Sequence, residues 1–95
     1  PIIFEIKSIT PKNAISQVRK AVAQLPEYRW KHRDLFPPDT TLAIVTNIEL
    51  EPILGRDFVD DFLFKNRGLE VLHEVGSNFI SHRGTSLKEL LVPAD

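Results

Sequence analysis

IIFEIK, residues 2–7, is rich in isoleucine and phenylalanine and interrupted by two charges two residues apart. In an extended chain Ile2, Phe4 and Ile6 point one way, and Ile3, Glu5 and Lys7 the other. The segment is predicted to be a strand, with two opposite charges on one of its faces. The period then changes. Ile15, Val18, Val22 and Leu25 repeat at helical spacing, and Thr10-Pro11 offers an N-cap followed by proline at the first helical position. A helix is therefore predicted over residues 11–31. Pro26 lies inside it, removes one backbone hydrogen bond and is expected to kink or end it.

The next stretch, DLFPPDT (34–40), is a loop stiffened by Pro37-Pro38. TLAIVTN (41–47) is a continuous apolar run, the pattern of a strand buried on both faces. Pro52 and Gly55 mark a loop. RDFVDDFLFKNRG (56–68) predicts a short helix stopped by Gly68. LEVLHEV (69–75) and NFISH (78–82) flank Gly76-Ser77-Asn78 and predict a hairpin. TSLKELL (85–91) is expected to form a last helical turn. The order strand, helix, strand, helix, strand, strand predicts an α/β fold, a mixed β-sheet flanked by helices. No repeat, low-complexity tract or internal boundary divides residues 1–95, which are read as one domain.

Charge adds a feature that the hydrophobic pattern lacks. Residues 1–33 hold seven Lys or Arg against Glu5 and Glu27, a net of +5, while residues 34–95 hold five against eleven, a net of −6. A basic first third suits a polyanionic partner, although solvated helix charges would give the same count. The absence of cysteine excludes a disulfide framework and thiolate zinc. No apolar run is long enough to span a bilayer, no secretory signal pattern is present, and a cytoplasmic location is expected. The chain opens at Pro1 and contains no Met, so it is read as a fragment lacking upstream elements.

Glu5 and Lys7 sit about 7 Å apart by strand rise. A carboxylate there suits Mg²⁺, and an adjacent lysine can position a water or stabilise charge building on a phosphate. A charge pair on a solvent-facing strand is the plain structural alternative. Gln17, Lys20, Gln24 and Tyr28 follow at spacings of three, four and four, a polar stripe of donors suited to phosphate oxygens, or simply the wet face of an amphipathic helix. His73 and His82 lack the spacing of a helical zinc pair and are read as surface or partly packed histidines. Ser8, Ser16 and Ser86 have no nucleophile context. Trp30 and the six phenylalanines are read as core or rim, although Trp30, amid Arg29, Lys31 and Arg33, is also placed where a base can stack.

FEIKSITPKNAISQVRKAVAQLPEYRW, residues 4–30, resembles the second half of the active site of PD-(D/E)xK nucleases, the restriction-endonuclease-like superfamily. Glu5-Ile6-Lys7 matches the (D/E)xK element on a core strand. Gln24-Leu-Pro-Glu-Tyr28 matches the QxxxY element that RecB-like members carry on the next helix. The later order of a hydrophobic strand, a short helix and GLEVLHEV is also similar. The resemblance implies a metal-dependent endonuclease acting on DNA, with Mg²⁺ held by Glu5, the backbone carbonyl of Ile6 and an upstream acidic residue that this chain does not contain. It implies that Lys7 orients the attacking water, and that Gln24, Tyr28 and Gln17 steady the strand or Lys7. Lys20, Arg29 and Lys31, with Gln17, are expected to contact DNA. Pro26, within the QxxxY element, is expected to shift Tyr28 relative to Gln24. The missing acid would come from an N-terminal segment or another copy of the chain, either of which would also pair with the open edge of strand 2–7. Two rival readings are a nuclease-like module that binds nucleic acid without cleaving it and a protein-interaction domain.

Overall fold

The computed structural model describes residues 1–84; the helical turn expected at 85–91 lies outside the described residues. Four strands form one sheet in the order β1 (Ile2–Lys7), β2 (Thr41–Thr46), β3 (Leu69–Val75), β4 (Asn78–Ser81). β1 and β2 are parallel, as are β2 and β3, whereas β4 is antiparallel to β3. The domain is thus α/β with a mixed sheet.

A parallel pair of strands needs a return crossover, and α1 (Ala14–Lys31) supplies it between β1 and β2. Its Ala14, Val18, Ala21 and Leu25 are buried against one face of the sheet. The turn before α1 is closed reciprocally. The Thr10 N–H donates to Asn13 Oδ1 at 2.7 Å, and the Asn13 N–H donates to Thr10 Oγ1 at 3.3 Å. That exchange has the reciprocal pattern of a capping box, but it closes the turn 10–13; Asn13, the N-cap of α1, makes no side-chain cap bond to the helix itself. The α-helical register begins at Ala14, three residues later than predicted, because residues 11–13 are spent in this turn. Pro26 does not end the helix, which runs on to Lys31 with the proline on its exposed side.

The segment expected as a loop around Pro52 contains a single helical turn, α2 (Glu51–Leu54). Proline is tolerated there because the first-turn N–H groups of a helix have no intrahelical acceptor. Leu50, almost wholly buried, anchors the turn to the core. The helix predicted within 56–68 is present as α3 (Phe58–Asn66). It is wider than expected, with π-type hydrogen bonding such as Arg67 N–H to the Phe62 carbonyl at 2.9 Å. Gly68 follows at φ 67, the left-handed conformation that its lack of a Cβ permits.

β3 and β4 close on two residues rather than three, since Asn78 already pairs with Val75. Gly76 has φ 61 and Ser77 has no positive φ, the pattern of a type II′ hairpin turn.

The core has two parts. The larger lies between the sheet and the helices and contains Val18, Ala21, Leu25, Leu42, Ile44, Val59, Leu63, Leu69 and Val71, with Ile3 packed against it. The smaller, on the opposite face, gathers Ala43, Val45 and Leu72 with Ile2 and Phe79. β2 is buried on both faces, as its unbroken apolar run predicts. β1 is an edge strand among the described residues, with Phe4 and Ile6 exposed on the face away from α1. The Thr41 N–H donates to the Pro1 carbonyl, so odd-numbered residues of β1 turn their backbone groups toward β2. By strand alternation, Ile2, Phe4 and Ile6 present theirs to the open edge.

Candidate functional site

The face of β1 that carries Ile3, Glu5 and Lys7 is the one covered by α1. The charges predicted to share a strand face therefore sit at a helix–sheet seam. Since β1 and β2 are parallel, α1 must run back against β1. That reversal brings the C-terminal half of the helix alongside the strand.

Lys7 Nζ lies 3.2 Å from Glu5 Oε1 and donates to Gln24 Oε1 at 3.3 Å. The two long side chains of β1 lean together across their strand spacing, and the first polar residue of the QxxxY stretch closes the group. The Lys7 side chain is only 15% exposed against 36% for Glu5, so most of the lysine stem is packed at the seam, while its hydrogen bond to Gln24 lies at the surface and the carboxylate keeps a free side. Register places Glu5 beside Ile44 and Lys7 beside Thr46. Just beyond the strand ends, Asn47 holds the loop after β1: its Oδ1 accepts from the Ile9 N–H at 2.7 Å, and its Nδ2 donates to the Ile9 carbonyl at 3.2 Å. Ile9 is itself buried, which secures that attachment.

Beside this group lies an open groove of about 450 Å³ whose polar lining is Glu5, Gln24, Glu27, Tyr28 and Lys31. Gln24 and Tyr28 both reach it, so Pro26 does not separate them as expected. A proline on the exposed side of a helix interrupts one hydrogen bond there and leaves the i, i+4 face intact. Lys31 is paired with Glu27 at 3.0 Å on the helix surface. Glu27 was not singled out from the sequence, although its position three residues after Gln24 places it on the same helix face.

The other expected DNA contacts are distributed differently. Gln17 and Lys20 precede Gln24 by two turns and one turn of α1 and line neither groove described here. Arg29 lines a separate groove with Trp30 and Arg33. The two histidines do not converge. His73 Nε2 is 3.8 Å from Glu49, and His82 Nε2 is 3.4 Å from Asp60. Trp30 is not core: it is 64% exposed.

Both ends of α3 carry charge. Asp60 lies 3.1 Å from Lys65 and also faces His82. The hydrogen bond from Lys65 holds the Asp60 carboxyl below its ordinary 3.8, against a smaller opposing effect of burial, and His82 adds to the lowering. Lys65 is correspondingly raised above 10.5, first by its bond to Asp60. A depressed carboxyl contributes stability above its unfolded pKa and loses it as pH falls through the folded one. Asp60→Asn is therefore expected to lower stability slightly between about pH 5 and 8 and to lose correspondingly less below about pH 4, so that the two proteins converge in acid. Urea denaturation at stepped pH checks this; an unchanged acid limb would mean that the ion pair contributes nothing.

The donors at the β1 site are a carboxylate and, at the open edge, the Ile6 carbonyl. These are hard oxygen donors of the kind Mg²⁺ takes, since that ion binds through one or two carboxylates plus substrate phosphates and keeps several waters. The site therefore fits the ion, but with one carboxylate from β1. Among the described residues no group of three or more His, Asp or Glu is close enough to hold a metal ion unaided. Among the described residues, no helix is long and apolar enough to cross a membrane. Comparison of the chain with protein-family models, with curated proteins and with solved structures finds no match to any of them.

Proposed function

We propose that this chain carries the (D/E)xK half of a metal-dependent phosphodiesterase site, in a restriction-endonuclease-like fold that cleaves DNA in the cytoplasm. The observation that carries the reading is the placement of Lys7 Nζ between Glu5 and Gln24 at the seam of β1 and α1. A lysine with an acid on one side and an amide on the other is held in one orientation, its stem packed at the seam and its ammonium at the surface where a ligand can reach it. That favours a positioning role over a general surface charge.

In this reading Glu5 and the Ile6 carbonyl would hold Mg²⁺, which would supply neutralising charge at the phosphate and lower the pKa of water. Lys7 donates a hydrogen bond to the attacking water and sets its direction toward phosphorus. Gln24 fixes the ammonium. Tyr28 and Gln17 are donors to the DNA backbone on either side of Gln24, with Lys20 beyond the strand end and Lys31 at the groove rim. The water oxygen forms a new P–O bond as the P–O bond to the leaving oxygen breaks; the water's proton passes to solvent and the leaving oxygen takes a proton from solvent, so the net change is addition of one water across the phosphodiester. The second carboxylate would come from a segment, or another copy of the chain, that pairs with the open edge of β1.

The test is nicking of supercoiled plasmid. The natural polypeptide that carries these residues is expected to nick in Mg²⁺ and to stop in EDTA. The isolated 95-residue chain is expected to be silent, because one strand carboxylate is too little anionic charge for firm binding of a strongly hydrated ion. Nicking that persists in EDTA would remove the metal reading. Nicking by the isolated chain would mean that the chain itself supplies the second carboxylate, from Glu27 in the same groove or from another copy paired at the edge of β1.

A further inference from the structure

We propose that the groove at the C-terminal end of α1 is a stacking site for an unpaired strand of DNA, with a base against Trp30 and its neighbouring phosphates on Arg29 and Arg33. The inference rests on this groove alone and needs neither metal nor Glu5 and Lys7.

The groove has a volume of about 490 Å³ and is lined by Arg29, Trp30, Arg33, Phe36, Pro37 and Pro38. It sits between the last turn of α1 and the loop before β2. Two adjacent prolines fix that loop wall, since the ring of each locks its backbone φ. Trp30, the largest side chain in the chain, leaves 64% of its surface in water. It is not loosely held there. The Arg33 guanidinium lies 4.6 Å from the indole centroid, and Arg33 Nη1 donates to the Trp30 carbonyl at 2.9 Å. This contact orders the aromatic plane before any ligand arrives and uses only part of the guanidinium's donor set.

Charge selects the class of ligand. The lining contains two guanidinium groups and no carboxylate. Among the described residues neither Arg29 nor Arg33 is in an ion pair with an acid, in contrast to Lys31 with Glu27 and Lys7 with Glu5. The exposed carbonyls at a helix end would repel an anion, but two of them are engaged here: Trp30 by Arg33, and Tyr28 by the His32 N–H at 3.1 Å. A flat aromatic surface beside uncompensated arginines suits a base and its phosphates. A proline-rich peptide would match the aromatic and proline walls but leave both arginines without a partner. Duplex DNA keeps its bases stacked on each other and offers no free face to the indole.

Trp30 is the only tryptophan in the chain, so its fluorescence reports on the site directly. Titrating the full chain, in EDTA and low salt, with an oligothymidylate of about eight nucleotides is expected to give saturable quenching. Trp30→Ala is expected to weaken binding of the same fluorescein-labelled oligonucleotide, read by anisotropy, about 5- to 100-fold. Arg29→Ala and Arg33→Ala should each weaken it and lower the salt slope by about 0.7. Absence of quenching, equal affinity of Trp30→Ala, or quenching by a polyproline peptide but not by the oligonucleotide would each overturn the proposal. So would a duplex of equal length that binds more tightly in a Trp30-dependent way. Should Trp30→Ala fail to fold by circular dichroism, the quenching titration of the unaltered chain decides alone.

Discussion

Glu5→Gln and Lys7→Ala, made in the natural polypeptide that carries this chain, are each expected to lower Mg²⁺-dependent cleavage by about 100- to 1000-fold while DNA affinity stays near normal. That magnitude is typical for removal of one group that stabilises charge in a transition state. The structural alternative gives a different pattern. Lys7 and Glu5 form an ion pair, and if that were their whole role the loss would be one partly exposed pair, worth about 1 kcal/mol or less in stability. Cleavage would then survive both changes. Glu5→Gln has a second signature: with no metal bound, it removes a negative charge facing phosphate, so metal-free DNA affinity should hold or rise. Cleavage rate and DNA affinity measured side by side separate the two roles. Near-normal cleavage by both variants would leave the Lys7–Glu5–Gln24 group as a structural clasp between β1 and α1.

The largest effect on stability is expected at Ile44. Its side chain is fully buried at the centre of β2, beside Glu5 in register and within the core under α1. Ile44→Ala deletes apolar volume where strands on both sides limit relaxation, and should cost about 2–5 kcal/mol. A domain of this size has roughly 5–15 kcal/mol in total. With a urea slope of about 1–3 kcal/mol per molar, the midpoint should fall by about 0.7 M or more. Ile44→Val, which keeps the branch and removes one carbon, should cost about 0.5–1.5 kcal/mol. A loss below about 1 kcal/mol for the alanine variant would contradict the central position of β2. Because Ile44 supports the strand that carries Glu5, a folded Ile44→Val protein should also show whether small shifts of β1 affect cleavage.

The elements of the sheet are legible in local pattern. An apolar segment over 2–7 with charges only at alternate positions 5 and 7, an unbroken apolar run over 41–47, and two strands about a glycine turn are local features, and pleat and burial translate them directly. α1 is equally legible through Val18 and Leu25. Where reading and structure diverge, several residues compete for one role. Thr10 and Pro11 satisfy the rules for a helix start, but the exchange between Thr10 and Asn13 takes those residues into a turn first. Pro52 looks like a breaker until Leu50 is seen anchoring a helical turn around it. Pro26 costs a backbone hydrogen bond wherever its ring points, yet the packing of Val18, Ala21 and Leu25 carries the helix past it to Lys31.

For the candidate site, the sequence by itself determined that Glu5 and Lys7 share a strand face and that Gln24 and Tyr28 share a helix face, since each follows from a period of 2 or 3.6. It could not determine that these two faces meet. That depends on the parallel pairing of β1 with β2, which forces α1 back across β1, and on which side of the sheet the helix packs. The same packing sends Arg29 and Trp30 to a different groove from Gln24, although five or six residues separate them in the chain, because those steps turn the helix well away from the sheet. Glu27 enters the site, and Asn47 grips Ile9, through contacts between elements distant in sequence. Periodicity is a property of one segment and survives in the sequence; juxtaposition is a property of two, and only the tertiary structure decides it.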